Sequence, residues 1–236
     1  LYNAALVGMG LDGKSYFYNN PLASSGRIQR RPWYEVPCCP SNLSRTFARL
    51  GEAVLKVHPG EVWIEQYLSS EHDLAELDLS LAIENGFPYE GNVTIKFHNT
   101  PSEPFTLKCR QPSWAEKIRI DLNDVFYEAV QGEKPENYDP KRAKWIEINR
   151  EWRSGDRLLI NCAMPVRILK TDPRVKATRG KGAVACGPLV YCLESVDNPG
   201  LDLFNLRVNP SSLVANFDRT LLGGVRVIEG ATTAGE

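Results

Sequence analysis

Leu77-Asp78-Leu79-Ser80-Leu81-Ala82-Ile83-Glu84 sets apolar residues at every second position. Side chains that alternate in this way lie on opposite faces of an extended strand, one face for a core and one for water. The same period returns downstream. Val93, Ile95 and Phe97 alternate with Thr94, Lys96 and His98, and Phe105, Leu107 and Cys109 with Thr106, Lys108 and Arg110. Ile118, Ile120 and Leu122 alternate with Arg119, Asp121 and Asn123. Val62 to Leu68, Trp145 to Ile148, Arg157 to Cys162 and Ala183 to Leu193 continue the series. Short strands separated by turn residues, with no strong helix between them, predict a mainly β protein built as an antiparallel β-sandwich. The polar stretch 131–144 reads as a solvated loop.

Upstream the period changes. Leu43, Phe47, Leu50 and Val54 recur at spacings of four, three and four, which predicts a helix over 40–57 with one apolar stripe. Pro40 suits the first turn, and His58-Pro59-Gly60 ends the helix. Residues 1–9 read as the tail of another helix, Ser15 to Tyr18 as a short aromatic strand, and Asn19 to Pro32 as a loop.

The 236 residues carry 28 Lys and Arg against 29 Asp and Glu, a net charge of -1 that gives no reason to expect nucleic acid or an anionic membrane as partner. No apolar run approaches the roughly 18 residues needed to span a bilayer. The chain opens at Leu1 with neither an initiator Met nor a basic leader, so the expectation is a fragment of a cytoplasmic protein. Cys109, Cys162, Cys186 and Cys192 read as small buried hydrophobes rather than as a disulfide framework, which fits a reducing compartment.

Cys38-Cys39-Pro40-Ser41-Asn42 stands just before the helix start. Unpaired N–H groups and the helix dipole favour thiolate there, the form that attacks carbon or binds metal. Adjacent cysteines can face one ion, yet zinc wants about four ligands. No CxxC, HxxxH or second cysteine cluster lies nearby, so further ligands must come from elsewhere. His58, His72 and His98 read as surface or loop residues. Three uses of the pair stay open on these residues: an incidental pair, a structural zinc site and a reactive thiolate.

An ordered set of landmarks adds to this. Leu1-Tyr2-Asn3, Leu11-Asp12-Gly13-Lys14 with Phe17-Tyr18 and Asn20-Pro21-Leu22, Arg31-Pro32-Trp33-Tyr34, and Cys38-Cys39-Pro40-Ser41-Asn42 resemble glycoside hydrolase family 127, the β-L-arabinofuranosidases. Asp172-Pro173-Arg174-Val175 and Gly187-Pro188-Leu189-Val190-Tyr191-Cys192-Leu193-Glu194 are similar to the same family's sandwich region. The resemblance implies that residues 1–58 end an (α/α)6 catalytic barrel and that 59–236 form the β-sandwich region. It implies a retaining glycosidase acting on an oligosaccharide or glycan with terminal β-L-arabinofuranose. Cys38 falls on the nucleophile and on a zinc ligand, and Cys39 on a second zinc ligand.

Tyr18 falls on a tyrosine near the sugar, with a buried strand aromatic as the other reading. The family's remaining zinc ligands, a glutamate and a cysteine, and its glutamate acid/base lie upstream of the matched region, so the barrel preceding Leu1 is an implied partner. The loop from Pro21 to Trp33 is shorter than usual, and Glu35-Val36-Pro37 stands where Gly-Cys-Ala is more common. Glu35 matches no catalytic position and reads as a surface carboxylate. The competing reading is a non-catalytic β-sandwich module that binds carbohydrate through Trp63, Trp114, Trp145 or Trp152, or serves only as structure.

Overall fold

The computed structural model describes residues 1–131 and 144–234. Most of the polar loop expected at 131–144 therefore lies outside the described residues. A helical turn at Tyr2–Leu6 precedes one α-helix, α1 (Cys38–Ala48). Strands follow: β1 (Leu55–His58), β2 (Glu61–Ile64), β3 (Ser70–Leu74), β4 (Leu79–Asn85), β5 (Asn92–Asn99), β6 (Phe105–Arg110), β7 (Lys117–Leu122), β8 (Val125–Gln131), β9 (Trp145–Arg150) and β10 (Arg157–Cys162). The remainder carries β11 (Val166–Leu169), β12 (Ala183–Cys186), β13 (Leu189–Tyr191), β14 (Leu206–Val208), β15 (Val214–Asp218), β16 (Val225–Glu229) and β17 (Thr232–Ala234).

Two sheets, ordered β1-β2-β6-β9 and β3-β4-β5-β10-β7-β8, share one core. Val62, Ile64, Leu107, Cys109, Ile146 and Ile148 come from the first, and Leu81, Ile83, Val93, Ile95, Ile120, Leu158 and Ile160 from the second. That interleaving is how two sheets bury their apolar faces against each other. The alternation in β6 has the predicted sense: Phe105, Leu107 and Cys109 are buried, while Thr106, Lys108 and Arg110 face away. Trp152 closes the core, stacked on Phe97 with ring centroids 4.5 Å apart.

Turn chemistry fixes the register. Asn123 and Asp124 both hold positive φ (52° and 63°), the two-residue geometry that matches strand twist, so Leu122 pairs Val125. Asn123 also donates to the buried Asp156 (2.8 Å) and accepts from the Arg157 amide (2.8 Å), which ties the β7–β8 turn to β10. Gly91 passes so close to the Cys162 carbonyl that a Cβ would overlap it.

Several expectations are corrected. The sheets are not wholly antiparallel: β2 and β6 run parallel, because the chain leaves the first sheet after β2, builds β3 to β5, and re-enters alongside it. The helix ends at Ala48 rather than continuing to 57. A 3-10 turn at Leu50–Ala53 follows, and β1 forms because Leu55 pairs Ile64 and Val54 is drawn into the sandwich core. The strand expected at Val62 to Leu68 stops at Ile64, where the Glu65 and Gln66 amides both turn to the Val54 carbonyl. Leu77 sits in a 3-10 turn, ahead of the strand that buries Leu79, Leu81 and Ile83. Ser15 to Tyr18 is no strand but a single bridging residue, Tyr16, paired with Met9 and Arg31. Ala183 to Leu193 divides into β12 and β13 around Gly187, whose φ of 54° makes the reversal. Cys192 is exposed, whereas Cys109, Cys162 and Cys186 are buried, and all are free thiols.

The third sheet, β11-β12-β13, anchors the first segment. The Asn3 side chain donates to the Pro188 carbonyl (2.8 Å) and accepts from the Val190 amide (2.9 Å). Arg226 on β16 donates to the Tyr89 carbonyl (2.7 Å), joining the last strands to the β4–β5 connection.

Candidate active site at Cys38 and Cys39

Helix α1 begins at Cys38, so both thiols lie within its first turn rather than before it. No side chain caps this end and no acid occupies its first turn, which leaves the positive end of the dipole uncompensated beside the sulfurs. Instead the turn is braced through its own carbonyls. Asn42 and Ser41 donate to the Cys38 carbonyl (2.8 and 3.1 Å), and Arg45 holds Asn42 in place (2.8 Å).

Tyr18 arrives from the preceding loop. Its ring leans on Tyr34 (5.4 Å between centroids), and Tyr34 leans on Tyr16 (5.1 Å) while its hydroxyl donates to the Tyr16 carbonyl (3.2 Å). Arg30 covers the Phe17 ring and donates to the Val7 and Gly8 carbonyls, and Asn20 donates to the Ala4 carbonyl, so this loop is fastened to the first helical segment. The Tyr18 hydroxyl reaches 2.9 Å from Cys39 Sγ and 3.7 Å from Cys38 Sγ, and the sulfurs are 3.6 Å apart. Tyr18 thus stands beside both thiols, half-buried rather than sealed in a core.

The electrostatics follow from that triangle. Hydrogen bonding to Cys39 and then to Cys38 pushes the Tyr18 hydroxyl well above its ordinary value, so it stays protonated and donates. In return the Cys38 thiol is held below its ordinary value, first by the hydrogen bond from Tyr18 and next by that from Cys39. Removing the donor reverses the effect. In Tyr18→Phe the metal-free Cys38 thiolate forms at higher pH, and the midpoint of its alkylation by iodoacetamide moves upward. An unchanged midpoint would show that the hydroxyl does not stabilise the thiolate.

Two tetrahedral bonds of about 2.3 Å to one zinc ion place their sulfurs roughly 3.8 Å apart. The 3.6 Å separation of Cys38 and Cys39 therefore fits a shared ion with little movement. Among the described residues no group of three or more His, Cys, Asp or Glu could complete such a site. The histidines stand elsewhere: His58 packs on Trp63, His72 bonds Ser70 and His98 is exposed. Glu35 is exposed and forms no ion pair among the described residues.

Tyr34 and Asn42 have roles that sequence reasoning did not single out. Of the four tryptophans considered for sugar stacking, Trp152 is buried and Trp114 packs edge-on against Phe87. Trp63 and Trp145 lean on each other at 4.7 Å, with Lys108 over the Trp63 ring.

Three domain models of one family match the chain in succession. The Beta-L-arabinofuranosidase GH127 catalytic domain matches residues 1–52, the GH127 middle domain 61–164, and the Glycoside hydrolase family 127 C-terminal domain 166–228. A curated relative, the non-reducing end beta-L-arabinofuranosidase of Bifidobacterium longum subsp. longum, is 28% identical over 251 aligned residues, covering 97% of this chain and 36% of that protein. The crystal structure of a GH127 beta-L-arabinofuranosidase from Geobacillus stearothermophilus T6 superposes with a TM-score of 0.82 at 30% identity, covering 98% of this chain and 37% of the other. A second solved GH127 beta-arabinofuranosidase gives 0.82 at 30%, with 99% and 38% covered. This chain spans little more than a third of each relative, 36% to 38%. It carries matches to the catalytic, middle and C-terminal domains in that order, and it belongs to glycoside hydrolase family 127.

Proposed function

We propose that this chain supplies the nucleophile, and half of the metal-binding set, of a retaining glycoside hydrolase that releases terminal β-L-arabinofuranose from a glycan. The observation that carries the reading is the triangle of Tyr18, Cys38 and Cys39 at the start of α1. The chain up to Ala53 is the end of an (α/α)6 barrel, and the β-sandwich region begins at Val54, earlier than the boundary at 58 expected from the sequence, because Val54 enters the sandwich core and β1 pairs β2. The apolar stripe of α1 supports this division, because Phe47 is exposed and no residue of the helix is buried, as for a helix whose packing partner lies elsewhere.

Cys38 Sγ bonds to the anomeric carbon as the bond to the leaving oxygen breaks, with inversion. The leaving oxygen takes its proton from an acid supplied by the upstream barrel. Water, deprotonated by the same group, then attacks the anomeric carbon, a second inversion restores the configuration, and the Cys38 thiolate departs. Cys38 and Cys39 would hold zinc, which keeps both thiols ionised and lowers their basicity, a help to Cys38 as a leaving group. Tyr18 donates to the sulfurs and orients them beside the sugar.

Among the described residues no further group completes the metal set, and on this reading the acid comes from the upstream barrel. With an aryl β-L-arabinofuranoside the chain by itself gives no turnover above buffer, and activity returns only with the barrel present. Steady release of the aryl group by the chain alone would end this reading.

A further inference from the structure

A second candidate site lies at the third sheet, whose Pro188 and Val190 also hold Asn3. The residues before β7 and one face of the β11-β12-β13 sheet line an open cleft of about 300 Å³, at the small end for ligand pockets and suited to a single ring. Strand register explains its wall: Arg167 pairs Ala185, which pairs Val190, so all three project from the same face, with Leu169 two residues along. Trp114 and Ser113 form the opposite side and Pro188 the rim.

The cleft holds one cation without a counter-charge. Arg167 donates through one terminal nitrogen to the Gly187 carbonyl (2.8 Å), which fixes the plane of the guanidinium. Its Nε–H is buried and has no acceptor, and no carboxylate among the described residues pairs with the group. The guanidinium therefore brings a positive charge without a carboxylate partner to the cleft wall, and an anionic group on a ligand offsets it. The remaining walls are apolar, formed by Trp114, Leu169, Pro188 and Val190, so a small inorganic anion would meet one cation and a desolvating surface. A ring that carries its carboxylate at the edge satisfies both. Its C–H face lies against apolar wall and indole, while the carboxylate meets the positive charge of the guanidinium. The exposed Ser113 hydroxyl at the mouth suits a ring that bears hydroxyls.

We propose that this cleft binds a hexuronic acid, with Arg167 as the carboxylate ligand and Trp114 as the apolar wall. The proposal rests on no metal and on neither of the paired thiols, so its fate is separate from that of the hydrolase reading.

The test is a titration of the ¹⁵N-labelled chain with glucuronate and with galacturonate, following arginine Nε–H and indole N–H signals. Glucose, galactose and benzoate serve as comparison probes. At least one uronate shifts the Arg167 Nε–H signal, identified by its loss in Arg167→Gln, together with the Trp114 indole signal. Neutral hexoses give no saturable shift at these atoms. Arg167→Gln weakens uronate binding roughly tenfold or more, the scale of losing a charged hydrogen bond. Because Arg167→Gln also frees the Gly187 carbonyl, Val190→Trp provides a second variant. It fills the mouth from an exposed position, leaves Arg167 in place, and weakens binding by a similar factor. Equal response to neutral hexoses, tighter binding of benzoate than of either uronate, absence of any uronate shift, or retained affinity in both variants would each overturn the proposal.

Discussion

Cys38→Ser, made in the protein that joins this chain to its barrel, is expected to lower kcat by at least about 10³-fold, as loss of a covalent nucleophile does in other hydrolases. Serine is close in size, so α1 and the Asn42 and Ser41 contacts to the Cys38 carbonyl persist. What disappears is a polarisable sulfur held as an anion. A hydroxyl in that place stays protonated at neutral pH, and the hydrogen bond from Tyr18 is far too weak to ionise it.

Cys39→Ser separates the two roles. It removes a proposed ligand and the nearer partner of Tyr18, at 2.9 Å, but leaves the attacking atom. Its loss of rate should therefore be partly recovered by added zinc, whereas that of Cys38→Ser should not. Trapping with a slow substrate and intact-mass measurement completes the test. A glycosyl adduct on Cys38 is present in the unmodified protein and in Cys39→Ser, and absent in Cys38→Ser. Near-normal turnover by Cys38→Ser would leave the proposed chemistry without its central atom.

The second large effect is on stability. Trp152→Ala should cost about 3–5 kcal/mol, the usual range for deleting a large buried aromatic, out of a total that for most domains is only about 5–15 kcal/mol. Trp152 is 1% exposed, stacks on Phe97, lies 6.0 Å from Phe105, and donates its indole N–H to the Phe105 carbonyl (3.2 Å). Alanine leaves a void between the two sheets and an unpaired carbonyl at the head of β6. Trp152→Phe keeps a ring but not the hydrogen bond, so its cost should be distinctly smaller. Urea denaturation followed by circular dichroism measures both. A shift below about 1 kcal/mol for the alanine variant would place this residue outside the core's energetic centre.

The strands were legible where alternation was strict and one face was buried. β5, β6, β7 and β10 follow from Val93-Ile95-Phe97, Phe105-Leu107-Cys109, Ile118-Ile120 and Leu158-Ile160, because a period of two has one physical use at that length. The parallel β2–β6 pairing was not legible, since nothing local in Glu61–Ile64 says which later strand will lie beside it. The helix was overrun for a related reason. Leu50 and Val54 fit its stripe, yet Val54 gains more by entering the sandwich than by extending α1, and tertiary burial outweighs a weak periodic preference. At the site, Cys38 and Cys39 stood out as an adjacent pair at a helix start. Family likeness marked Tyr18 only as a residue near the sugar, its contact with the sulfurs was not legible, and Tyr34 and Arg167 gave no adequate cue, because these roles depend on chain segments folded together from afar.

Asn3 and the β13 edge meet across 185 positions of sequence. That clasp closes the chain between Asn3 and Val190 into a ring. The first helical segment, through Ala4, Val7 and Gly8, then steadies the loop that presents Tyr18. Ribosomal synthesis makes Leu189 to Tyr191 long after Cys38, so the thiol pair must wait, loosely framed, for a distant hairpin to emerge. Damage to that hairpin would reach the chemistry with no contact to a sulfur, and a lesion in the last domain would register as a fault in the first.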